Sequence, residues 1–258
     1  MNRISRRTLL QWLDNTLTPA RFRDYCPNGL QVEGTDTIQH VVTGVTASQA
    51  LLEAAVEQGA DTVLVHHGWF WKNEDARVIG IKRRRLAWAL AHDLNIIGYH
   101  LPLDAHPVLG NNAQLGAHLG ISPDTTAEGE PQTYGEQGLI WAGSLPEPMT
   151  LAYFSQHVEQ VLQRRPLWTG DPEQRIERIG WCTGGAQGYF QAALETDIDL
   201  FVTGEISEPN HHIAQETGTA FMAAGHHATE RYGIQALGQA LGQELGVHVT
   251  FIDIDNPA

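Results

Sequence analysis

Short runs of β-branched and other apolar residues alternate along the chain with segments in which apolar residues recur at helical spacing. The runs typical of strands lie at residues 39–45, 62–65, 95–99, 138–143, 175–182, 199–203, 219–223 and 247–254. The segments typical of helices lie at residues 48–58, 82–94, 111–119, 150–162, 187–194, 209–216 and 229–245. Because strands that alternate with helices build parallel or mixed sheets, we predict an α/β protein with mixed, largely parallel sheets flanked by helices.

Local signals define some of these helices further. Ser48 is a predicted N-cap, because its hydroxyl can accept a hydrogen bond from the first turn of the following helix. A first helix near the amino terminus is predicted to bury Leu9, Leu10 and Leu13. The last helix carries a one-faced apolar stripe from Ile234 to Leu245, which is typical of a helix packed against a core.

The segment from Ile121 to Gln137 has no apolar period. It contains two prolines together with several Gly, Thr and acidic residues, a composition typical of linkers. We therefore expect the chain to divide here into an N-terminal α/β lobe at residues 1–125 and a C-terminal α/β lobe at residues 126–258, with a cleft between them.

Composition narrows the classes of partner. The chain has 16 Lys+Arg against 30 Asp+Glu, a formal net charge of -14, so it repels nucleic-acid backbones and no nucleic-acid partner is expected. No apolar run approaches the roughly 18 residues that a membrane helix requires, so no membrane partner is expected either. Cys26 and Cys182 lack C-x-x-C spacing and fit a reducing compartment. We predict a cytoplasmic protein.

Histidine is unusually common, with 13 His against 16 Lys+Arg. Three of the predicted strands lead into possible metal ligands. His66 and His67 follow the second strand, His100 follows the third, and His226 follows the seventh after a short turn. Because ligands of open α/β sheets bind at the carboxyl ends of strands, we expect these imidazoles to lie in one region.

Two carboxylates accompany the imidazoles at regular spacing. Asp104 follows His100 by four residues, and we predict that this pair lies in a turn because Pro102 opposes a regular helix. Glu230 follows His226 by four residues at the start of the last helix. This spacing places both side chains on one helix face.

Six ligands exceed the four that a tetrahedral ion accepts. Adjacent histidines in a strand point to opposite faces, which favours two ions, and carboxylates can bridge a pair of divalent ions about 3.5 to 4 Å apart. Nitrogen and oxygen ligands without thiolate suit Mn, Fe, Co or Zn. We predict a dinuclear metal site formed by His66, His67, His100, Asp104, His226 and Glu230.

Other residues are candidates for supporting chemistry. Glu205 ends another predicted strand and fits either a carboxylate that orients a ligand or a proton carrier, and His100 and His106 are further candidates for proton transfer. The glycine-rich turn at Thr183–Gly188 fits either a phosphate cradle or a plain tight turn. The basic run at Lys82–Arg85 fits either a solvated helix face or a guide for an anionic substrate.

The remaining histidines are interpreted more simply. His227 is interpreted as a neighbour of His226 without a role of its own, and the pair His211–His212 fits either a supporting or a surface position. Hydrogen-bonded core or surface positions without metal are predicted for His40, His92, His118, His157 and His248.

Five strings spread over the whole chain carry a resemblance to a known family. They are NGLQV at Asn28–Val32, VLVHHGWFW ending at Trp71, YHLPLDAHP ending at Pro107, GNNAQLG ending at Gly116 and AAGHHATERYG ending at Gly233. The tandem His, the H-x-x-x-D and the G-H-x-x-T-E elements are specific in combination. With them the chain resembles the GTP cyclohydrolase I type 2 homologue family, also called the NIF-three-like family.

The resemblance implies a two-lobed α/β monomer with a dinuclear metal site in its cleft and, for bacterial members, a toroidal homohexamer. It also implies GTP ring opening through the family name. Larger members have an extra middle domain that 258 residues cannot accommodate. Matched residue by residue, the family ligands fall on His66, His67, Asp104, His226 and Glu230, with His100 as a sixth position.

These observations predict a metal-dependent hydrolase with two divalent ions per subunit. Its substrate is expected to be an anionic small molecule, nucleotide-like or phosphorylated. The alternative is a protein that is not an enzyme and binds metal for structure, sensing or assembly. Catalytic metal sites keep an open coordination position whereas structural sites are closed, so the number of metal-bound waters distinguishes the two.

Overall fold

The computed structural model describes residues 2–258, which form two compact units. The first unit contains the described residues up to Leu103 together with Ile234–Asp255, and the second contains Asp104–Gly233 and Asn256–Ala258. The predicted boundary between residues 125 and 126 differs from this division. The difference arises because the end of the chain returns to the first unit, a long-range pairing that a local pattern does not reveal.

Helices and strands alternate throughout and are numbered in chain order. Up to residue 118 they are β1 (Ile4–Ser5), α1 (Arg6–Leu17), β2 (Gly29–Val32), β3 (Thr37–Ile38), β4 (His40–Thr46), α2 (Gln49–Glu57), β5 (Thr62–His67), α3 (Gly80–Ala91), β6 (Asn95–Gly98), α4 (Leu101–Ala105) and α5 (Asn111–His118). They continue with β7 (Ser122–Pro123), β8 (Thr133–Tyr134), β9 (Ile140–Thr150), α6 (Leu151–Leu162), β10 (Leu167–Thr169), β11 (Arg175–Trp181), α7 (Phe190–Ala193), β12 (Leu200–Thr203), α8 (Glu208–Thr217), β13 (Ala220–Ala223), α9 (His226–Leu245) and β14 (His248–Phe251).

The first unit is built on a five-stranded sheet with the order β14-β4-β5-β6-β2. The first four strands in this order are parallel, and β2 pairs with β6 in the antiparallel sense. Neighbouring parallel strands end at the same edge of a sheet. The residues that follow β5 and β6 therefore lie side by side.

Helices pack on this sheet through apolar faces. Ser48 caps α2 by accepting a hydrogen bond from the Leu51 amide at 3.2 Å, which confirms the predicted N-cap. Leu9 and Leu13 of α1 are fully buried, whereas Leu10 is only half-buried. The buried face of α1 therefore runs along the i, i+4 row, and Leu10 lies at its margin.

The second unit contains a seven-stranded sheet in which six strands follow the order β10-β13-β12-β11-β9-β7 and β8 also pairs with β9. The central strands β11, β12 and β13 are parallel, and the outer pairings are antiparallel. Trp141 and Trp181 are buried in its core with ring centroids 5.9 Å apart. Both units thus have mixed sheets flanked by helices, which confirms the predicted fold class.

The segment predicted as a linker is part of the second unit. β7 and β8 pair with β9, and an isolated bridge joins Thr125 to Pro131. An ion pair between Arg178 and Asp124, with N and O 2.8 Å apart, ties the segment to β11. The linker prediction was wrong because strands of two residues are too short to produce an apolar period.

Two local predictions about helices also change. Residues Leu101–Ala105 form the short helix α4 instead of a turn, because a proline in the first helical turn requires no backbone donor. α9 begins at His226, three residues before the predicted start at residue 229. Among residues 2–258, none of the helices is both long and apolar enough to cross a membrane.

Candidate functional site

Three imidazoles of the first unit come together at the carboxyl edge of its sheet. His66 and His67 end β5, and His100 follows the neighbouring parallel strand β6. One ligand nitrogen from each ring lies within 4.8 Å of those of the other two. The ring centroids are 4.4 Å apart for His66 and His67, and His100 lies 5.1 and 5.7 Å from these two rings.

The rings of His66 and His67 lie close together, whereas adjacent residues of a strand are expected to point to opposite faces. β5 includes both residues, but His67 is its last residue and Gly68 follows. The pleat is therefore not continued beyond His67, and its ring lies beside that of His66 at a tilt of 42°. His66 is fully buried and His67 is half-buried.

Backbone and side-chain oxygens determine which nitrogen of each ring can bind a metal. The Nδ1 group of His66 donates to the carbonyl oxygen of Tyr99 at 3.1 Å. Because a carbonyl only accepts, Nδ1 carries the proton and Nε2 carries the lone pair. Nδ1 of His67 lies 3.3 Å from the hydroxyl of Thr46, which can either donate or accept, so this contact engages Nδ1 without fixing the tautomer.

His100 is oriented by a carboxylate that the sequence analysis missed. Its Nδ1 group donates to Oδ1 of Asp24 at 2.6 Å, and its backbone amide donates to Oδ1 of Asn28 at 2.8 Å. Oδ2 of Asp24 accepts from the Asn28 side chain and from the amide of Leu101, both at 2.9 Å. Burial alone would raise the pKa of Asp24, but the hydrogen bond and charge of His100 hold it below its usual value.

The second unit contains two buried carboxylates of its own. Asp104 and Glu230 have relative exposures of 6% and 3%, and an oxygen of one lies within 4.8 Å of an oxygen of the other. Oδ1 of Asp104 accepts from Asn111 at 2.8 Å and from the hydroxyl of Thr183 at 3.3 Å. Two buried carboxylates this close repel each other unless a proton or a cation compensates their charge.

His226 lies between two acidic side chains. Its Nδ1 group donates to Oε1 of Glu205 at 2.7 Å, and its Nε2 lies 3.2 Å from Oε2 of Glu230. Burial by itself would lower the pKa of His226, but hydrogen bonds and charges from Glu230 and then Glu205 raise it to about 9. Glu205 thus contacts Nδ1 of His226 while Nε2 is directed towards Glu230, and its role as an orienting carboxylate or a proton carrier stays a prediction.

The glycine-rich turn packs against two of these candidate ligands, Glu230 and His226. The amide of Gly184 donates to the hydroxyl of Thr229 at 3.0 Å, and that of Ala186 donates to the hydroxyl of Thr203 at 3.2 Å. Because these amides are bonded within the unit, the structure favours the tight turn over the phosphate cradle. Gly184 has a φ of +69°, and a Cβ there would overlap Oε1 of Glu230.

Cys182 lies close to the same carboxylates. Burial, followed by the charges of Asp104 and Glu230, raises the pKa of its thiol well above the usual value. A neutral thiol is a poor metal ligand. This environment agrees with a ligand set of nitrogen and oxygen.

The other candidate histidines have local partners. Nδ1 of His106 accepts from the amides of Val108 and Leu109, at 3.2 and 2.9 Å, and burial lowers its pKa. His211 lies 2.8 Å from the hydroxyl of Thr169, and the exposed His212 pairs with Glu208. These contacts support turns and helix ends, and the proton-transfer role of His106 stays a prediction.

The first residue of the basic run on α3, Lys82, interacts with two neighbouring side chains. Lys82 pairs with Glu74 at 3.5 Å and lies over the ring of Phe70, 5.3 Å from its centroid. Arg83 and Arg84 are exposed, and Arg85 is half-buried. This arrangement favours a solvated helix face.

Comparison with known proteins places this chain in a family. The model of the Duf34/NIF3 (NGG1p interacting factor 3) family matches residues 4–257. The chain belongs to the Duf34/NIF3 family. A relative from Neisseria meningitidis, named "GTP cyclohydrolase 1 type 2 homolog", is 53% identical over 255 residues, which cover 99% of this chain and 100% of that protein. The resemblance inferred from the five strings is thereby confirmed.

Solved structures of similar proteins share the fold of this chain. A structure described as protein ybgI, of unknown function, aligns with a TM-score of 0.92 at 50% identity and covers 99% of this chain and 100% of its own. A protein from Thermus thermophilus aligns with a TM-score of 0.85 at 31% identity over 99% of this chain and 100% of its own. These comparisons support the mixed α/β fold.

Proposed function

We propose that this Duf34/NIF3 protein is a dinuclear divalent-metal hydrolase. The observation that carries the proposal is the shared orientation of its strand-end imidazoles. Nδ1 of His66, His100 and His226 donates to a carbonyl or carboxylate oxygen, and Nδ1 of His67 lies beside a hydroxyl. Metal-bound histidines typically donate their second nitrogen to such acceptors, so we assign Nε2 as the ligating atom in all four.

The proposed centre uses the six ligands predicted from the sequence, His66, His67, His100, Asp104, His226 and Glu230. One ion would have at most three protein ligands if it were bound only by the three imidazoles of the first unit, or only by His226, Asp104 and Glu230. The six ligands together can serve two ions. The close pair Asp104 and Glu230 supports a cationic centre, because each carboxylate raises the cost of ionising the other.

The reaction proposed is hydrolysis of an anionic small molecule, nucleotide-like or phosphorylated. When bound, the divalent ions lower the pKa of coordinated water and polarise the attacked centre. Asp24 and Glu205 hold His100 and His226 in the ligating orientation. We assign proton exchange with solvent to Glu205, because its side chain is 45% exposed while it contacts His226. His100 is assigned as a ligand, since Asp24 accepts its Nδ1 proton.

Metal content tests the ligand assignment. Metal-free protein is reconstituted separately with Mn, Fe, Co and Zn, and bound metal is measured by elemental analysis. We expect about two ions per subunit in the natural protein and loss of bound metal in Glu230→Ala, with circular dichroism retained. Glu208→Ala is the matched control, because Glu208 has a side-chain exposure of 79%. Full metal retention in Glu230→Ala would contradict the assignment.

Turnover tests the hydrolase assignment separately. The reconstituted protein is screened with phosphorylated sugars, nucleotides and GTP, the last because the relatives' name refers to a GTP cyclohydrolase. We expect metal-dependent product release that is absent in Glu230→Ala. Two bound ions without turnover of any compound, and with coordination shells free of solvent, would instead favour the metal-dependent binding or assembly protein.

We also propose that the protein forms a homo-oligomer, a toroidal hexamer by resemblance. Four apolar side chains within residues 78–90 of the first unit are more than half exposed, which is typical of a surface covered by another protein. They are Val78, Ile79, Ile81 and Leu90. Light scattering after size-exclusion chromatography tests this assignment, and a monomer at micromolar concentration would reject it.

A further inference from the structure

Two aromatic side chains of the first unit border its imidazoles. The Trp71 ring centroid lies 5.0 Å from that of His100, with the rings at 86°, and 6.0 Å from that of His67. The Tyr25 ring lies 6.4 Å from that of His100 at 64°. Tyr25 is 51% exposed and Trp71 is half-buried. Both rings therefore contact the candidate ligands while part of their surface stays open.

Hydrogen bonds hold the two loops together and fix the indole of Trp71. The amide of Lys72 donates to the carbonyl of Tyr25 at 2.6 Å and joins the two loops. The indole of Trp71 donates to the carbonyl of Gly68 at 3.2 Å, and its amide donates to Oε2 of Glu74 at 3.1 Å. A ring that is fixed before binding, as that of Trp71 is, loses little conformational entropy when a ligand contacts it.

The residue before Trp71 adopts a strained conformation. Phe70 has a φ of +65°, in the left-handed region that bulky residues rarely occupy. Trp69 anchors the chain immediately before it, since its amide donates to Gln31 at 2.6 Å and its indole donates to the carbonyl of Ala47 at 2.9 Å. Strained backbone conformations of this kind are concentrated at ligand-binding and active sites.

We propose that Tyr25 and Trp71 form a stacking subsite for the planar heteroaromatic ring of a phosphorylated ligand. The inference rests on the proposed function, because the phosphoryl group is assigned to the metal centre beside these rings. Aromatic side chains stack on any base, since every base has a π face. The subsite therefore selects a planar ring over a sugar alone and does not select one particular base.

Two probes that differ by the ring test this subsite. Adenosine 5′-monophosphate and ribose 5-phosphate are titrated calorimetrically into the Mn-loaded full-length protein. We expect the nucleotide to bind at least about fivefold more tightly, the lower end of stacking contributions. Tyr25→Leu and Trp71→Leu should each reduce the ratio of the two dissociation constants towards one. Tyr153→Leu is the matched control, because Tyr153 is a 62% exposed tyrosine of the second unit.

Metal content is measured for every variant, because Trp71 contacts two candidate ligands. If Trp71→Leu loses metal, Tyr25→Leu still decides the outcome, since its ring is half exposed. The proposal is overturned if the nucleotide does not bind, if it binds no more tightly than ribose 5-phosphate, or if its preference survives in Tyr25→Leu. If ribose 5-phosphate binds metal-free and metal-loaded protein with equal affinity, the metal role in the proposed function is contradicted. The stacking subsite is tested separately, by comparing adenosine 5′-monophosphate with ribose 5-phosphate.

Discussion

Oδ1 of Asp24 lies 2.6 Å from Nδ1 of His100, although 76 residues separate the two in the chain. Glu205 has the same relationship to His226 in the second unit, at 2.7 Å. Each unit thus contains a carboxylate that fixes the tautomer of one imidazole. Such a contact also increases the basicity of the ring nitrogen that we propose as the metal ligand.

Replacing Asp24 by Asn should weaken metal binding. The substitution removes a charge and places an amide donor where Asn28 and the Leu101 amide already donate, so His100 loses its fixed orientation. Metal affinity should fall about 10- to 100-fold, measured by competition with a chromophoric chelator. Asp36→Asn is the control in the same unit, since Asp36 is 76% exposed. Equal affinities of the two variants would rule out an orienting role for Asp24.

Alanine at two adjacent glycines should have opposite outcomes. At Gly184 a Cβ would overlap Oε1 of Glu230 and lie 3.1 Å from Nε2 of His226, whereas at Gly185 its nearest neighbours are at 3.5 and 3.7 Å. Gly184→Ala should therefore lose bound metal and stability, the latter by about 1 kcal/mol or more because its φ is positive. Gly185→Ala should retain both. Elemental analysis and urea unfolding test the pair, and intact metal binding in Gly184→Ala would show that Glu230 is not a required ligand.

The parts of the site that depend on local sequence could be predicted. His66, His67 and His100 follow apolar runs that are long enough to be recognised as strands, and parallel order then brings strand ends together. Glu205 was found in the same way, because it follows β12 after one glycine. The apolar pattern is sufficient to locate a candidate residue that adjoins a buried strand.

The parts of the site and of the fold that depend on long-range pairing could not be predicted from the sequence. Asp24 lies in a loop without periodicity, and its partner His100 is identified only by the folded chain. Similarly, β14 pairs with β4 in parallel and so joins the end of the chain to the first unit. The apolar pattern of a strand specifies which face is buried but not which neighbour it takes, so the boundary at residue 125 was placed without this information.

Metal binding should release protons from the second unit. The pKa of His226 is raised to about 9 in the metal-free protein, so the ring is protonated at pH 7.5 and must lose its proton before Nε2 can bind a metal. The raised pKa also means that the imidazolium stabilises the metal-free fold fully below about 6.5, and that this contribution disappears as the pH rises through about 9.

Calorimetry in buffers with different ionisation enthalpies measures this proton release. Fewer protons should be released at pH 9.5 than at pH 7.5. Glu205→Gln should also release fewer protons at pH 7.5, because it removes one of the two carboxylates that raise the pKa of His226. A release that is the same at both pH values would show that His226 is not protonated in the metal-free protein.

A second pH dependence should arise outside the proposed ligand set, at His40 and His248. Their rings stack with centroids 4.1 Å apart, and Nε2 of His40 lies 2.9 Å from the hydroxyl of Thr250. Burial and the neighbouring His248 lower the pKa of His40 from 6.5, although Asp61 partly opposes them. The unfolded chain therefore binds more protons than the native one near pH 6, so the free energy of unfolding should decrease as the pH falls through 6.5.

Urea unfolding of metal-free protein at pH 7.5 and pH 5.0 measures the effect. The midpoint should fall on acidification, and it should fall less in His248→Gln, because the variant removes the second imidazole that competes for a proton. His92→Gln is the control, since His92 is an exposed histidine of the same unit. Only His248→Gln alters the charge that faces His40. If the urea midpoint decreases equally on acidification in His248→Gln, in His92→Gln and in the natural protein, the stacked pair does not cause the acid sensitivity.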